Sequence, residues 1–318
     1  MTTTIVLGAG GTVGLAYHAG VLKALRETAG IEAADADLLI GTSAGSAASA
    51  YLRSGYTSDD LWRMALGTHE TLVGLTDGEI DERRRALFTR NWASPTELMR
   101  LGIGTSYALL RMTGLAPALP LPQSVKHRFP AGLFTMASAE AELGEQLASE
   151  WPAKPVWLCA YDLMRRRRVV IGNGDPTTLS LPRAVLASCA IPGMYRPVRD
   201  GRRVLVDGGV HSPTNLDLVA PRPAGLVIVV APMAYETGET QRAADQLTRR
   251  FAARALAREA HVVKDAGHSL VIIRPGRREV RAHGKNFMRL DTSEAIARLA
   301  YECAARTLQG RLSSSSAA

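Results

Sequence analysis

Three short stretches of this chain carry residue types that could perform acyl-transfer chemistry. The first is Gly41-Thr42-Ser43-Ala44-Gly45, a G-x-S-x-G spacing that follows an apolar run and precedes a run of small residues. Where a strand turns sharply into a helix, small flanking residues let the turn close and lift the serine hydroxyl out at the helix N-terminus. The helix dipole and the free amides there favour developing negative charge. A serine in the same place can equally be a plain helix N-cap, so the pentapeptide alone leaves both roles open.

The second stretch is Gly8-Ala9-Gly10-Gly11-Thr12-Val13-Gly14. A dinucleotide fingerprint needs G-x-G-x-x-G, but Val13 stands at the required third glycine and Gly14 comes one place late. A P-loop needs Lys and then Ser or Thr, and Leu15 and Ala16 follow Gly14 instead. The loop can serve as an oxyanion hole, with the amides of Gly10, Gly11 and Thr12 aimed at a carbonyl oxygen as it becomes charged. It can also be a tight turn without chemistry.

The third stretch is Val204-Leu205-Val206-Asp207-Gly208-Gly209, an acid at the end of an apolar run with two glycines behind it. An aspartate there commonly forms an Asx turn. Beside Ser43 it would instead be the general base that a serine nucleophile needs. A carboxylate of ordinary pKa is a poor base toward a hydroxyl, so such a site must desolvate Asp207 or hold it very close.

The elements that must position these residues are readable from pattern. Thr3 to Leu7 reads as a strand, the glycine loop follows, and an apolar-periodic helix runs to about Glu27 with Gly30 as its stop. Leu38 to Ile40 is a second short strand, leading through Ser43 into a helix that ends near Gly55. Two strand-loop-helix units in succession predict an α/β fold with a mainly parallel central sheet flanked by helices. Residues from about 56 to 150 change character and read as a helical cap or insertion, and 101–122, apolar and punctuated by Gly and Pro, either as a lid over Ser43 or as a buried helical hairpin that completes the core. Strand character returns at 156–160 and 168–171, a hairpin whose tip carries Arg165 to Arg168. Further strands are expected at 203–206, 225–230 and 269–273, with helices at about 245–263 and 292–308. The expected organisation is one domain over residues 1–312 with a disordered tail at 313–318.

With 318 residues and 46% hydrophobic content the chain can bury a substantial core, which excludes disordered and fibrous classes. The strand-like run at Thr3 leaves no room for a signal peptide, and no window is apolar enough to span a membrane. Cys159, Cys189 and Cys303 are widely spaced and odd in number, which fits a reducing compartment and offers no metal-ligand pattern. The expected location is the cytoplasm or the periphery of a membrane. The net charge of +8 favours anionic partners. Its arginines are spread along the chain without a nucleic-acid-binding module, so a solvated basic surface is the plainer account and nucleic acid is not expected as a partner.

In order and spacing, these stretches resemble the patatin-like phospholipases. The resemblance rests on the glycine loop with Gly20-Val21-Leu22 after it and on the GTSAG elbow. It rests equally on Ala187-Ser188-Cys189-Ala190-Ile191-Pro192-Gly193 with Arg196-Pro197-Val198, and on Asp207-Gly208-Gly209 with Asn215 downstream. It implies a lipid acyl hydrolase with a Ser-Asp dyad: Ser43 as nucleophile, Asp207 as base, and the amides of Gly10, Gly11 and Thr12 as oxyanion donors. Gly41, Gly45, Gly208 and Gly209 support the turns. It implies no cofactor and no metal, a lipid or acyl-ester substrate with peripheral membrane contact, and no specific protein partner.

Two features depart from the family pattern. Val13 stands where members usually carry Arg or Lys, and the link from Gly14 to Gly20 is one residue longer than usual. If the loop keeps the family geometry, Val13→Arg is expected to raise the rate. The missing charge also motivates a second reading, a patatin fold serving as a catalytically silent binding or regulatory protein. A nucleotide-dependent enzyme is the third reading. A histidine triad is weighed as well, since Ser43, Asp207 and His268 follow the chain order of α/β-hydrolases. Against it, GTSAG follows only the second strand and Asp207 lies in a DGG turn. His18 and His211 read as structural or supporting residues.

Overall fold

The computed structural model describes residues 2–72, 132–148, 150–235 and 243–315, with scattered positions between 79 and 106. Its central sheet has eight strands. The five that run parallel are β1 (Thr3–Leu7), β2 (Leu38–Thr42), β5 (Val156–Asp162), β9 (Leu226–Val230) and β10 (Ser269–Ile273), in the spatial order β10-β9-β1-β2-β5. Beyond β5 the direction reverses. There β6 (Arg167–Ile171) and β8 (Arg203–Asp207) each pair antiparallel with β5, and β7 (Val198–Asp200) pairs antiparallel with β8. A separate two-stranded pair joins β3 (Thr89–Arg90) to β4 (Phe134–Thr135).

Both faces of the sheet are covered, so its central strands are apolar throughout instead of alternating. In β1, Ile5 and Leu7 face one core layer and Val6 the other, as a two-residue side-chain period requires. On the first face lie α1 (Gly11–Ala29), α2 (Ala44–Arg53), α3 (Ser58–Leu66), α5 (Leu181–Cys189) and α8 (Ser293–Ser315). On the second lies α6 (Ala243–Asp265), whose Leu256, Ala260 and Val263 pack on Val227, Val229 and Leu38. Two further helices are α4 (Ala137–Gln146) and α7 (Arg277–His283).

The expected first helix, its left-handed stop at Gly30, the 156–171 hairpin and the strands at 203, 225 and 269 are all found. Gly14 and Gly20 both lie inside α1, so the longer link between them is absorbed as regular helix. The last helix continues to Ser315, beyond the expected Leu308 and into the first serines of the expected tail. At the hairpin tip Arg165 to Arg167 meet solvent or its edge, while Arg168 turns inward to grip Asp217 at 2.6 and 2.8 Å. Most of the 101–122 segment, read as a lid or a core hairpin, lies outside the described residues. Among the described residues no helix is long and apolar enough to cross a membrane.

Candidate active site

Ser43 sits between the end of β2 and the start of α2 with φ 54° and ψ −119°, a backbone conformation that non-glycine residues rarely adopt. The turn is that sharp because α2 crosses close over β1. A Cβ at Gly45 would lie 1.9 Å from the Leu7 carbonyl oxygen, so only glycine fits. Hydrogen bonds on both its main-chain groups hold the strained residue. The Ser43 amide donates to Ser188 Oγ at 2.9 Å, and the Ser43 carbonyl accepts from the Ser46 amide at 2.8 Å and from Ser46 Oγ at 2.6 Å. Ser188 in turn donates to the Cys159 carbonyl at 2.6 Å, tying the elbow to β5. The Ser43 side chain makes no capping bond to α2, which removes the plain N-cap role and leaves the hydroxyl for another partner.

The side-chain neighbours of Ser43 are the Asp207 carboxylate and the Cys189 thiol, and strand register explains how Asp207 comes to lie there. Thr42 lies opposite Cys159 across β2 and β5, and Asp207 lies opposite Ala160 across β5 and β8. Ser43 and Asp207 therefore reach the same level of the sheet, two strand spacings or about 10 Å apart in the backbone, with their side chains between. β8 runs antiparallel to β5 and ends at that level with the acid. Asp207 is also an Asx-turn residue, accepting the Gly209 amide on Oδ1 at 2.7 Å. The carboxylate thus forms the Asx turn while lying beside Ser43. Burial pushes its pKa up to about 6, and hydrogen bonding to Ser43 and to the Gly209 amide offsets only part of that rise.

The glycine loop lies against both groups. Gly14 in the first turns of α1 faces Ala44 beside the elbow, and Ala9 faces Gly209. The loop is fixed by main-chain bonds from Gly8 to the Val230 carbonyl at 2.9 Å and from Ala9 to the Pro213 carbonyl at 2.8 Å. The amides of Val13 and Gly14 are also engaged, by the carbonyls of Phe287 and Gly10. Among the described residues, no hydrogen-bond acceptor meets the amides of Gly10, Gly11 and Thr12. These three are the donors singled out from the sequence.

Val13 corrects one expectation. Its side chain is fully buried in the core layer with Ala16 and Tyr17, because a helix that begins at Gly11 turns its third residue inward. The position does not present a side chain to the oxyanion, so Val13→Arg would bury a guanidinium instead of raising the rate. The histidine triad also fails on geometry. His268 precedes β10 at the edge of the sheet where β1 and β9 begin, a five-residue strand length or about 16 Å from the end that carries Ser43. Burial lowers the His18 pKa to about 4, so the ring is neutral, and its Nε2 is placed 2.7 Å from the Gly8 carbonyl to donate to it. It shapes the loop without touching Ser43.

Two residues that stand within the motifs, Asn215 and Ser188, have structural roles that the sequence does not show. Asn215, in a left-handed conformation with φ 51°, donates to Thr42 Oγ1 at 3.1 Å and to the Ser212 carbonyl at 2.7 Å, joining the segment after the DGG turn to the elbow strand. Ser188 lay within a quoted motif, but nothing in its spacing announced a bond to Ser43. Cys189 adjoins Ser43 and Asp207, and burial pushes its thiol up to about 12, so it holds no thiolate to compete as a nucleophile.

A family model for patatin-like phospholipase matches residues 5–220. Comparison with curated proteins gives no match. Among solved structures, VipD from Legionella pneumophila aligns with a TM-score of 0.43 and 16% identity over 97% of this chain and 67% of that one. The type III effector protein ExoU aligns with a TM-score of 0.35 and 18% identity over 98% of this chain and 53% of that one. The chain thus spans about half the length of the ExoU chain.

Proposed function

The chain belongs to the patatin-like phospholipase family, and from that premise we propose that it is a lipid acyl hydrolase that cleaves carboxylic esters through a Ser43 acyl-enzyme with Asp207 as general base. The observation that carries this reading is the state of the serine. Ser43 is held in a strained elbow, its hydroxyl is not used as a helix cap, and it meets a buried carboxylate whose pKa has risen to about 6. Such a carboxylate is a better base than an exposed one and is still ionised at neutral pH.

In the proposed reaction Ser43 Oγ attacks the ester carbonyl as its proton passes to Asp207. The carbonyl oxygen becomes an oxyanion among the amides of Gly10, Gly11 and Thr12, with the N-termini of α1 and α2 both directed at the developing charge. Collapse expels the alcohol, which takes the proton from Asp207, and leaves the acyl group esterified to Ser43. Asp207 then removes a proton from water, the hydroxide attacks the acyl carbonyl, and Ser43 Oγ departs with that proton to release the carboxylic acid. No cofactor enters these steps. The substrate proposed is a lipid ester drawn from a membrane or micelle surface.

Labelling with a fluorophosphonate probe tests this reading, since only an activated serine reacts. The wild-type protein should label and should hydrolyse a fatty-acyl p-nitrophenyl ester, and Ser43→Ala should lose both while staying folded. An unlabelled wild type would favour the silent binding module, and full activity in Ser43→Ala would overturn the dyad.

A further inference from the structure

The donors of the glycine loop are set by a segment near the other end of the chain. The N-cap of α1 is Gly10, which has no side chain to satisfy the first turn. The missing cap comes from residues 287–289, beyond the stretch matched by the family model. The Phe287 carbonyl accepts the Val13 amide at 3.1 Å. Thr12 Oγ1 lies 2.7 Å from the Arg289 carbonyl and 3.2 Å from that of Phe287, so its one hydrogen is committed to this segment. Gly11, at φ 60°, passes so close that a Cβ would fall 2.5 Å from the Phe287 carbonyl oxygen.

The segment has the means to stay in place. The Asn286 side chain accepts the Met288 amide at 2.9 Å, and the Arg289 guanidinium pairs with Asp291 at 3.0 and 3.2 Å. The guanidinium of Arg249 lies 4.7 Å over the Phe287 ring. By taking Val13, the fourth amide in the row, this segment confines the open donors to Gly10, Gly11 and Thr12. By holding the Thr12 hydroxyl it fixes the peptide planes on either side of Thr12.

We propose that residues 286–291 act as a clamp that orients the oxyanion donors, with the Thr12 side chain as the positioning residue through which they act. The proposal rests on the acyl-hydrolase reading. Small errors in donor direction matter because preorganised donors work only if aimed at the oxyanion before the charge forms.

The test compares Thr12→Val, which keeps the shape and removes the hydroxyl, with Thr12→Ser, which restores it. On a fatty-acyl p-nitrophenyl ester, Thr12→Val should lose about tenfold to a hundredfold in kcat with KM within twofold, and Thr12→Ser should recover to within about threefold of wild type. The inhibition constant of a fatty alkyl trifluoromethyl ketone, whose hemiketal oxyanion occupies the same hole, should rise by the same factor as kcat falls. Asp291→Ala, which loosens the clamp from its exposed side, should lower kcat about threefold to tenfold without changing KM, and it serves if Thr12→Val fails to fold. An active wild type matched by Thr12→Val, equal losses in the Val and Ser variants, or an unchanged kcat in Asp291→Ala would each overturn the clamp alone. A wild type with no turnover and no labelling would overturn the hydrolase reading and the clamp with it.

Discussion

The elbow at Ser43 and the glycine loop at Gly10 are both turns from a parallel strand into a helix, side by side in the sheet, yet they are held in different ways. The elbow takes two of its hydrogen bonds from Ser46, three residues on, and is closed by Ser188 and by the crossing of α2 over the central strand β1. The glycine loop is held from outside, by the carbonyls of Pro213, Val230, Phe287 and Arg289. A turn with bonds among its own residues leaves its pattern in a pentapeptide, whereas one held by remote carbonyls leaves glycines whose purpose is unreadable. Substitutions in each region test that contrast.

The largest effect is expected where the two regions meet. Asp207→Asn should reduce kcat by about four orders of magnitude, as loss of the acid does in serine hydrolases, with the fold intact because the amide oxygen can still accept from Gly209. In the wild type, kcat/KM should rise with pH through about 6 to a plateau, as the base ionises. The stability effect has the opposite sign. The folded-state pKa lies above the unfolded value, so this group's contribution is full below about pH 4 and is lost as pH passes about 6. Denaturant titrations of Asp207→Asn should lack that fall between pH 4 and 6. A kcat/KM profile that kept its midpoint in Asp207→Asn would show that another group is the base.

Next come the two glycines. Gly45→Ala drives a Cβ into the Leu7 carbonyl of a central strand that cannot yield, and should cost about 3 kcal/mol or more, read as insolubility or a sharply lowered unfolding midpoint. Gly11→Ala is strained too, at φ 60° and 2.5 Å from the Phe287 carbonyl oxygen, but that carbonyl lies outside the sheet, so the variant should lose less stability than Gly45→Ala and about tenfold or more in kcat. The reverse order of stabilities would erase the distinction between an elbow packed on a central strand and a loop held by a segment outside the sheet.

Val13→Arg should follow, destabilising by about 2 to 4 kcal/mol because a charge would replace a fully buried methyl-bearing side chain. A faster, equally stable variant in thermal denaturation and ester assays would mean that residue 13 reaches the oxyanion after all. The smallest catalytic effect belongs to His268→Ala, whose kcat should stay within about threefold of wild type since the ring lies at the far edge of the sheet. A thousandfold loss there would restore the histidine triad.

The parallel strands, the first helix with its stop at Gly30, and the elbow were legible in the residues alone. Each is written in contiguous residues, as hydrophobic period, glycine placement and turn chemistry. The sequence also supplied both candidates for Asp207, base and Asx turn, without a means to choose. In the folded chain one carboxylate forms the Asx turn and also lies beside Ser43, because β8 brings Asp207 to the level of Ser43 in a place dry enough to raise its pKa. Tertiary structure decided that Val13 faces the core, because the helix starts at Gly11, and that His268 stands at the wrong edge of the sheet. The roles of Ser188, Asn215 and Arg289 were invisible for one reason: each acts through a hydrogen bond to a residue more than a hundred positions away, and only the folded chain brings those atoms within 3.1 Å.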